Sequence, residues 1–140
     1  MINTVEAASR SQTAVSGKAI LVIDDNFAIR EGLTAILFAL FPEVSVYTAA
    51  NGHLGIKLFQ QQWQSISLVL LDMNMPVMNG EQTYEKLQKI APDVKVIVSS
   101  SLSQDEARDR FGEQVLPTFL QKPYPTDTLF HVVKTALAIA

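Results

Sequence analysis

Five short apolar runs alternate with segments of helical periodicity from residue 18 onward, and this alternation limits the possible folds more than any other feature. The first run, Ala-Ile-Leu-Val-Ile, is continuously apolar, which is typical of a strand that is covered on both faces. The segments between the runs repeat apolar residues at the spacing of one helix face. The predicted strands span residues 19–23, 44–48, 67–71, 94–99 and 118–121.

The helical segments make the strands of this pattern parallel, because parallel neighbours need a long crossover and a helix supplies one. We therefore expect an α/β domain with a doubly wound, five-stranded parallel sheet and helices on both faces. Asn51 is predicted to cap the second helix, and Ser103 with Glu106 to form a capping box for the fourth. Asn79-Gly80 is interpreted as a turn.

Composition fits a single domain with a substantial core, since 48% of the 140 residues are hydrophobic and 18% are charged. We expect residues 1–17 to be a flexible lead-in or linker and residues 18–140 to form the domain. The net charge of -3 argues against direct nucleic-acid binding, which is typical of basic chains. No apolar stretch approaches the roughly 18 residues of a membrane span, and there is no cysteine for disulfides or thiolate metal sites.

Polar side chains follow four of the five predicted strands. Asp24 and Asp25 follow the first strand, Asp72 the third, Ser99 to Ser101 the fourth, and Lys122 the fifth. Ligands of doubly wound sheets bind beyond the carboxyl ends of the strands. Each residue alone is more often a helix cap or a turn residue, but four such positions on one sheet edge favour a functional site.

Three neighbouring carboxylates raise one another's pKa, and a hard cation or an ammonium group relieves that repulsion. Mg²⁺ prefers oxygen ligands and often shares them with a phosphate, and Lys122 can supply the ammonium. One carboxylate could then attack phosphorus to give an acyl phosphate. The pattern therefore indicates phosphoryl chemistry at the sheet edge.

The strand-end segments resemble the receiver (response-regulator) family of two-component signalling systems. The resemblance is carried by LVIDD at 21–25, LLDMNMPVMNG at 70–80, VIVSS at 96–100 and FLQKP at 119–123. It covers about residues 18–140, and the 70–80 segment is highly specific. It implies a flavodoxin-like sheet with strand order 2-1-3-4-5 and five surrounding helices.

The resemblance also implies a role for each acidic residue. Asp72 is expected to be the phosphoacceptor. Asp24, Asp25 and Asp72 are expected to bind Mg²⁺, together with the backbone carbonyl of Asn74. Lys122 is expected to contact the phosphoryl group.

Two further residues are expected to act as a conformational switch. The family's switch hydroxyl lies 22 residues before its lysine, which corresponds to Ser100 here, and Ser99 is expected to point away from the site. Phe119 occupies the position of the family's aromatic switch residue, although an ordinary core role is an equal alternative. The resemblance implies a cis bond between Lys122 and Pro123.

The implied function is that of a signalling domain rather than an enzyme. It would take a phosphoryl group from a phosphohistidine on a histidine kinase or a histidine phosphotransfer protein. An output domain or partner would then bind the surface formed by the fourth helix, fifth strand and fifth helix. The expected location is the cytoplasm, in a single-domain regulator or in the cytoplasmic part of a membrane-tethered hybrid kinase.

Three alternatives stay open at this point. A phosphohydrolase of the haloacid dehalogenase type needs a second Asp two positions after the nucleophile, where this chain has Asn74. A flavodoxin-like cofactor binder needs a phosphate loop after the first strand, where this chain has Asp-Asp-Asn at 24–26. A degenerate receiver that only binds proteins is the third alternative.

Four aromatic or titratable residues outside these segments are not assigned to the chemistry. His53 and His131 lie in predicted helices without a metal-type partner nearby in the chain. Trp63 and Tyr124 are interpreted as packing or surface residues, and Tyr124 as a possible part of the output face.

Overall fold

The computed structural model describes residues 18–112 and 117–138, so the predicted lead-in at 1–17 lies outside the described residues. Within them, strands and helices alternate strictly. The elements are β1 (Ala19–Ile23), α1 (Phe27–Leu40), β2 (Ser45–Ala49), α2 (Gly52–Gln62), β3 (Ile66–Asp72), α3 (Gly80–Ile90), β4 (Val96–Ser100), α4 (Gln104–Phe111), β5 (Thr118–Gln121) and α5 (Thr126–Leu137).

The strands form one parallel sheet in the order β2-β1-β3-β4-β5, which confirms the predicted doubly wound fold. The strand order reverses between β1 and β3, so their carboxyl ends border the crevice in which such sheets bind ligands. Asp72 lies opposite Ser99 in the pairing of β3 with β4. Of the helices in the part of the chain that the structure describes, none is long and apolar enough to cross a membrane.

Strand residues alternate between two apolar clusters, one on each face of the sheet. Phe59 of α2, Leu87 of α3 and Phe111 of α4 pack with one cluster. Leu37 of α1 and Leu129 of α5 pack with the other. Burying each such side chain stabilises the fold by about 1.5–3 kcal/mol, and covering both faces explains why β1 is apolar at every position.

Short polar side chains begin four of the helices. Asn51 and Ser103 act as the predicted caps, and Glu106 completes the predicted capping box. The interpretation of Asn79-Gly80 as a turn was wrong, because Asn79 is the N-cap of α3 and forms a capping box with Gln82. The fourth such cap is Asn26, whose side-chain oxygen accepts a hydrogen bond from the backbone of α1. Caps of this kind contribute about 1 kcal/mol each.

Candidate functional site: an acidic cluster at the sheet edge

Three carboxylates meet at the carboxyl edge of the sheet. Asp24 and Asp25 follow β1, and Asp72 is the last residue of the adjacent strand β3. One oxygen from each of the three lies within 4.8 Å of the others. Asp24 and Asp72 are buried, whereas Asp25 is exposed. The structure therefore brings together the three acidic residues that the sequence predicted to meet.

Backbone hydrogen bonds fix Asp24 in place. Its Oδ1 accepts a hydrogen bond from the backbone N–H of Asn26 at 2.9 Å, and its backbone carbonyl accepts one from Arg30 Nη1 at 2.9 Å. Asn26 is itself fixed as the cap of α1, since its Oδ1 accepts from Ile29 N. The carboxylate is thus held by the rigid start of a helix, which favours a well-defined binding geometry.

Lys122 supplies a positive charge to the cluster from the end of β5. Its Nζ lies 3.2 Å from Asp72 Oδ1 and 3.8 Å from Asp24 Oδ2, so one ammonium bridges the two buried carboxylates. Its backbone N–H donates to the carbonyl of Ser100 at 2.7 Å, which anchors the segment to β4. The bond between Lys122 and Pro123 is cis, as the family resemblance implied.

Opposing influences act on the carboxyl group of Asp72. Burial is the largest and raises its pKa, the neighbouring Lys122 ammonium lowers it, and the Asp24 charge raises it again. Hydrogen bonds from Lys122 and from the backbone of Asn74 lower it, and the net pKa of Asp72 is raised. A buried carboxylate that is incompletely compensated gains from any further positive charge placed beside it.

The composition of the cluster fits a hard divalent cation. All three side chains offer carboxylate oxygens, which are the ligands that Mg²⁺ prefers. Because one oxygen from each lies within 4.8 Å of the others, the three side chains could hold one ion between them. Participation of the Asn74 carbonyl stays a prediction.

The position of Ser99 differs from expectation. Ser99 was expected to point away from the site, but it lines the same cavity as Asp24 and Asp72. The reason is register, because Ser99 pairs directly with Asp72 and so shares its face of the sheet. Among the described residues no hydrogen-bond partner is found for its hydroxyl.

Tyr124 also belongs to this cavity, which sequence reasoning missed. It lines the cavity, and its pKa is raised, first by burial and then by the charges of Asp24 and Asp72. The available signal was its position two residues after Lys122, which the sequence had already assigned to the site.

The two predicted switch residues lie away from this cavity, on the other face of the sheet. Ser100 is fully buried, and its Oγ accepts a hydrogen bond from the backbone N–H of Leu102 at 3.0 Å. Phe119 is partly buried against the cluster formed with α2, α3 and α4. Their roles as switch residues stay predictions.

The fold is a doubly wound sheet, and an acidic cluster bridged by a lysine lies at its switch point. Comparison with known proteins identifies the family that has this combination. The family model described as "Response regulator receiver domain" matches residues 20–134. The chain therefore belongs to the response-regulator receiver family. That finding decides against the phosphohydrolase and the flavodoxin-like cofactor binder.

Several relatives are longer proteins. The chain is 34% identical over 120 residues to the transcriptional regulatory protein DegU of Brevibacillus brevis, matching 82% of this chain and 48% of that protein. It is 29% identical over 126 residues to the sensor kinase CckA of Brucella abortus, matching 89% of this chain and 13% of that protein. The chain thus spans less than half the length of these two relatives.

Solved structures agree on the fold. A response regulator receiver domain protein from Clostridium thermocellum superposes with a TM-score of 0.77 at 28% identity, covering 86% of this chain and 94% of that one. The receiver domain of sensor histidine kinase PA1611 from Pseudomonas aeruginosa PAO1, solved with a magnesium ion in its active site cleft, gives a TM-score of 0.76 at 19% identity, covering 88% of this chain and 99% of that one. At that identity the second likeness supports the fold alone.

Proposed function

We propose that this receiver domain accepts a phosphoryl group on Asp72 from a phosphohistidine, with Mg²⁺ bound at the acidic cluster. The observation that carries the proposal is the ammonium of Lys122, which bridges Asp72 and Asp24 at 3.2 and 3.8 Å inside a group of three carboxylates. The apolar clusters on the two faces of the sheet include none of these four charged residues. A buried carboxyl group with a shifted pKa, such as that of Asp72, is typical of functional sites.

The transfer requires the ionised form of Asp72. One carboxylate oxygen attacks phosphorus and forms the oxygen–phosphorus bond, while the phosphorus–nitrogen bond of the phosphohistidine breaks and leaves its electron pair on the imidazole. Lys122 is already 3.2 Å from Asp72, so its ammonium can follow the negative charge from the carboxylate to the phosphoryl oxygens with a small movement of its stem.

Asp24, Asp25 and Asp72 are the side chains that would hold the cation. A bound Mg²⁺ neutralises charge on the carboxylates and on the phosphoryl oxygens. Asp24 would keep its orientation throughout, because its Oδ1 and its carbonyl are tied to the start of α1. The fixed position of Asp24 and the exposure of Asp25 suit a site that must admit both an ion and a donor.

The phosphorylated state would be transmitted through Ser100. Its hydroxyl now accepts from Leu102 N, in the segment just before α4. Ser100 is the last residue of β4, one position beyond the Ser99 that pairs with Asp72, so rotation of its side chain at the strand end could bring the hydroxyl to a phosphoryl oxygen. The segment would then lose this hydrogen bond and be free to rearrange. Phe119, which is only partly buried, would then move into the vacated space.

The proposed donor is a histidine kinase or a histidine phosphotransfer protein, and the proposed output surface is α4, β5 and α5. Relatives named as a sensor kinase and as a transcriptional regulatory protein contain segments similar to this chain, which is consistent with either kind of parent protein. We propose a cytoplasmic location because the donor phosphohistidine is formed from ATP.

The test is intact mass after incubation with acetyl phosphate, with and without Mg²⁺, for the wild type and for Asp72→Asn. The wild type should gain the mass of one phosphoryl group only with Mg²⁺, the adduct should be lost in alkali, and Asp72→Asn should gain nothing. Glu85→Gln, an exposed acidic residue on α3, is the matched control and should label like the wild type. An adduct on Asp72→Asn would refute Asp72 as the acceptor and place the phosphoryl group on another residue. No adduct on the wild type would refute the proposal in favour of a receiver that works only as an interaction module.

A further inference from the structure

A two-point ion pair joins α4 to α3. Arg110 Nε lies 2.5 Å from Glu81 Oε2, and Arg110 Nη2 lies 3.0 Å from Glu81 Oε1. The carboxyl side of the pair is largely buried, with 14% of the Glu81 side chain exposed and 38% of Arg110. Paired guanidinium–carboxylate hydrogen bonds of this form are stronger and more directional than an ordinary surface ion pair.

Glu81 lies in a helical turn that is held by hydrogen bonds to the segment following β3. Glu81 lies in the first turn of α3, where Asn79 and Gln82 form the capping box. Gly80, which directly precedes Glu81, donates its backbone N–H to the carbonyl of Met73 at 2.9 Å. The ion pair therefore ties α4 to the segment that directly follows Asp72.

Arg110 lies on α4, which packs only weakly against the rest of the domain. The eight residues of α4 bury only Ala107 and Phe111, and the other six are exposed. Phe111 contacts the ring of Tyr84 edge to face, with centroids 5.5 Å apart, so this contact is also made to α3. With so little buried apolar surface, the ion pair is a large part of what fixes the position of α4.

We propose that the Glu81–Arg110 ion pair is a clamp that stabilises the arrangement of α4 in which the Ser100 hydroxyl accepts from Leu102 N, and that it thereby opposes activation. The inference rests on the proposed function, because it assigns a resting-state bias to the same switch. An interaction that is made in only one of two arrangements shifts the equilibrium toward that arrangement. It thereby lowers the affinity for any ligand that binds the other arrangement more tightly. Removing the clamp should therefore strengthen binding of a phosphoryl mimic at Asp72.

The experiment is a calorimetric titration of beryllofluoride, which occupies the place of a phosphoryl group on a carboxylate, at saturating Mg²⁺. Arg110→Gln and Glu81→Gln should each bind about threefold to tenfold more tightly than the wild type, the range expected when a bridge of this kind is lost from one state only. Lys89→Gln is the matched control, because Lys89 pairs with Glu85 on α3 at 3.8 Å with both side chains mostly exposed. It should bind like the wild type.

A charge-swapped variant, Glu81→Arg with Arg110→Glu, separates the ion pair from local damage to either helix. It should return toward wild-type affinity, whereas damage to α3 or α4 would leave it as changed as the single variants. Unchanged or weaker binding in both single variants would overturn the clamp while leaving the phosphoacceptor proposal intact. A wild type that does not bind beryllofluoride would refute the phosphoacceptor proposal itself, and the clamp with it.

Discussion

The same substitution, glycine to alanine, should have opposite effects at two helical positions of this chain. Gly32 lies inside α1, and a methyl group added there would meet no heavy atom within 4 Å. Gly80 is the first residue of α3, and its added Cβ would lie 2.6 Å from Met73 Cα and 3.0 Å from the carbonyl oxygen of Asp72. The second position therefore leaves no room for a side chain.

The expected free energies follow from these contacts. Gly32→Ala removes the entropic penalty of a glycine in a helix interior and should stabilise the fold by about 1 kcal/mol. Gly80→Ala must push apart two backbone segments, and overpacking of this kind costs about 1–3 kcal/mol. A glycine at the first helical position offers little compensating gain, so we expect a net loss of about 2 kcal/mol. At about 4 °C per kcal/mol for a chain of this size, the two melting temperatures should differ by about 12 °C.

The assay is thermal and urea unfolding of both variants, followed by labelling with acetyl phosphate and Mg²⁺. Gly32→Ala should label at the wild-type rate. Gly80→Ala should label more slowly even where it is fully folded, because the displaced backbone is that of Asp72 and Met73. If Gly80→Ala is as stable as the wild type, the close approach of α3 to the acceptor strand is wrong.

Three further substitutions test separate parts of the account. Val77 has φ 68° with 87% of its surface exposed. Val77→Asn should raise the free energy of unfolding by about 1 kcal/mol, because Asn tolerates this conformation better than a β-branched residue. A lower free energy of unfolding in urea would show instead that the valine makes stabilising contacts. Lys18 Nζ donates a hydrogen bond to the carbonyl of Leu137 at the end of α5, at 2.7 Å. Lys18→Met should lower the free energy of unfolding by about 1 kcal/mol and speed amide hydrogen exchange in the last turn of α5. Unaltered exchange would contradict the contact. Burial above all raises the pKa of Asp72 in the folded state. The wild type should therefore lose stability relative to Asp72→Asn as the pH rises from the unfolded pKa of about 4 through the raised folded pKa. Urea unfolding across this range should show the stability advantage of Asp72→Asn growing with pH, and a constant difference would contradict the raised pKa.

Much of the fold was open to prediction because its signals are local. Continuous apolar runs predicted the strands, and the charged residues that end them had to meet once the strands were parallel. Predicted boundaries were one or two residues off at several ends, as at β2, which spans Ser45–Ala49 rather than 44–48. An error of this size leaves Asp24, Asp72 and Lys122 at the same sheet edge.

The features that the sequence predicted wrongly or not at all depend on contacts between elements that are distant in sequence. Which of Ser99 and Ser100 shares a face with Asp72 is set by the register of β4 on β3, and a shift of one residue exchanges them. The partner of Arg110 lies 29 residues away on another helix, and no local pattern identifies it. Asn79-Gly80 carries the signals of both a turn and a helix cap, and only the packing of Gly80 against Met73 selects the cap.

The central claim is that Asp72 itself carries the phosphoryl group, and chemical trapping tests it most directly. Borohydride reduces an acyl phosphate to an alcohol, so reduction of the labelled chain converts a phosphorylated aspartate to homoserine, which peptide mass spectrometry locates. We expect homoserine at position 72 in the sample treated with acetyl phosphate and Mg²⁺, and none without acetyl phosphate. Homoserine at position 24 or 25, or phosphate retained on a serine such as Ser99, would contradict it.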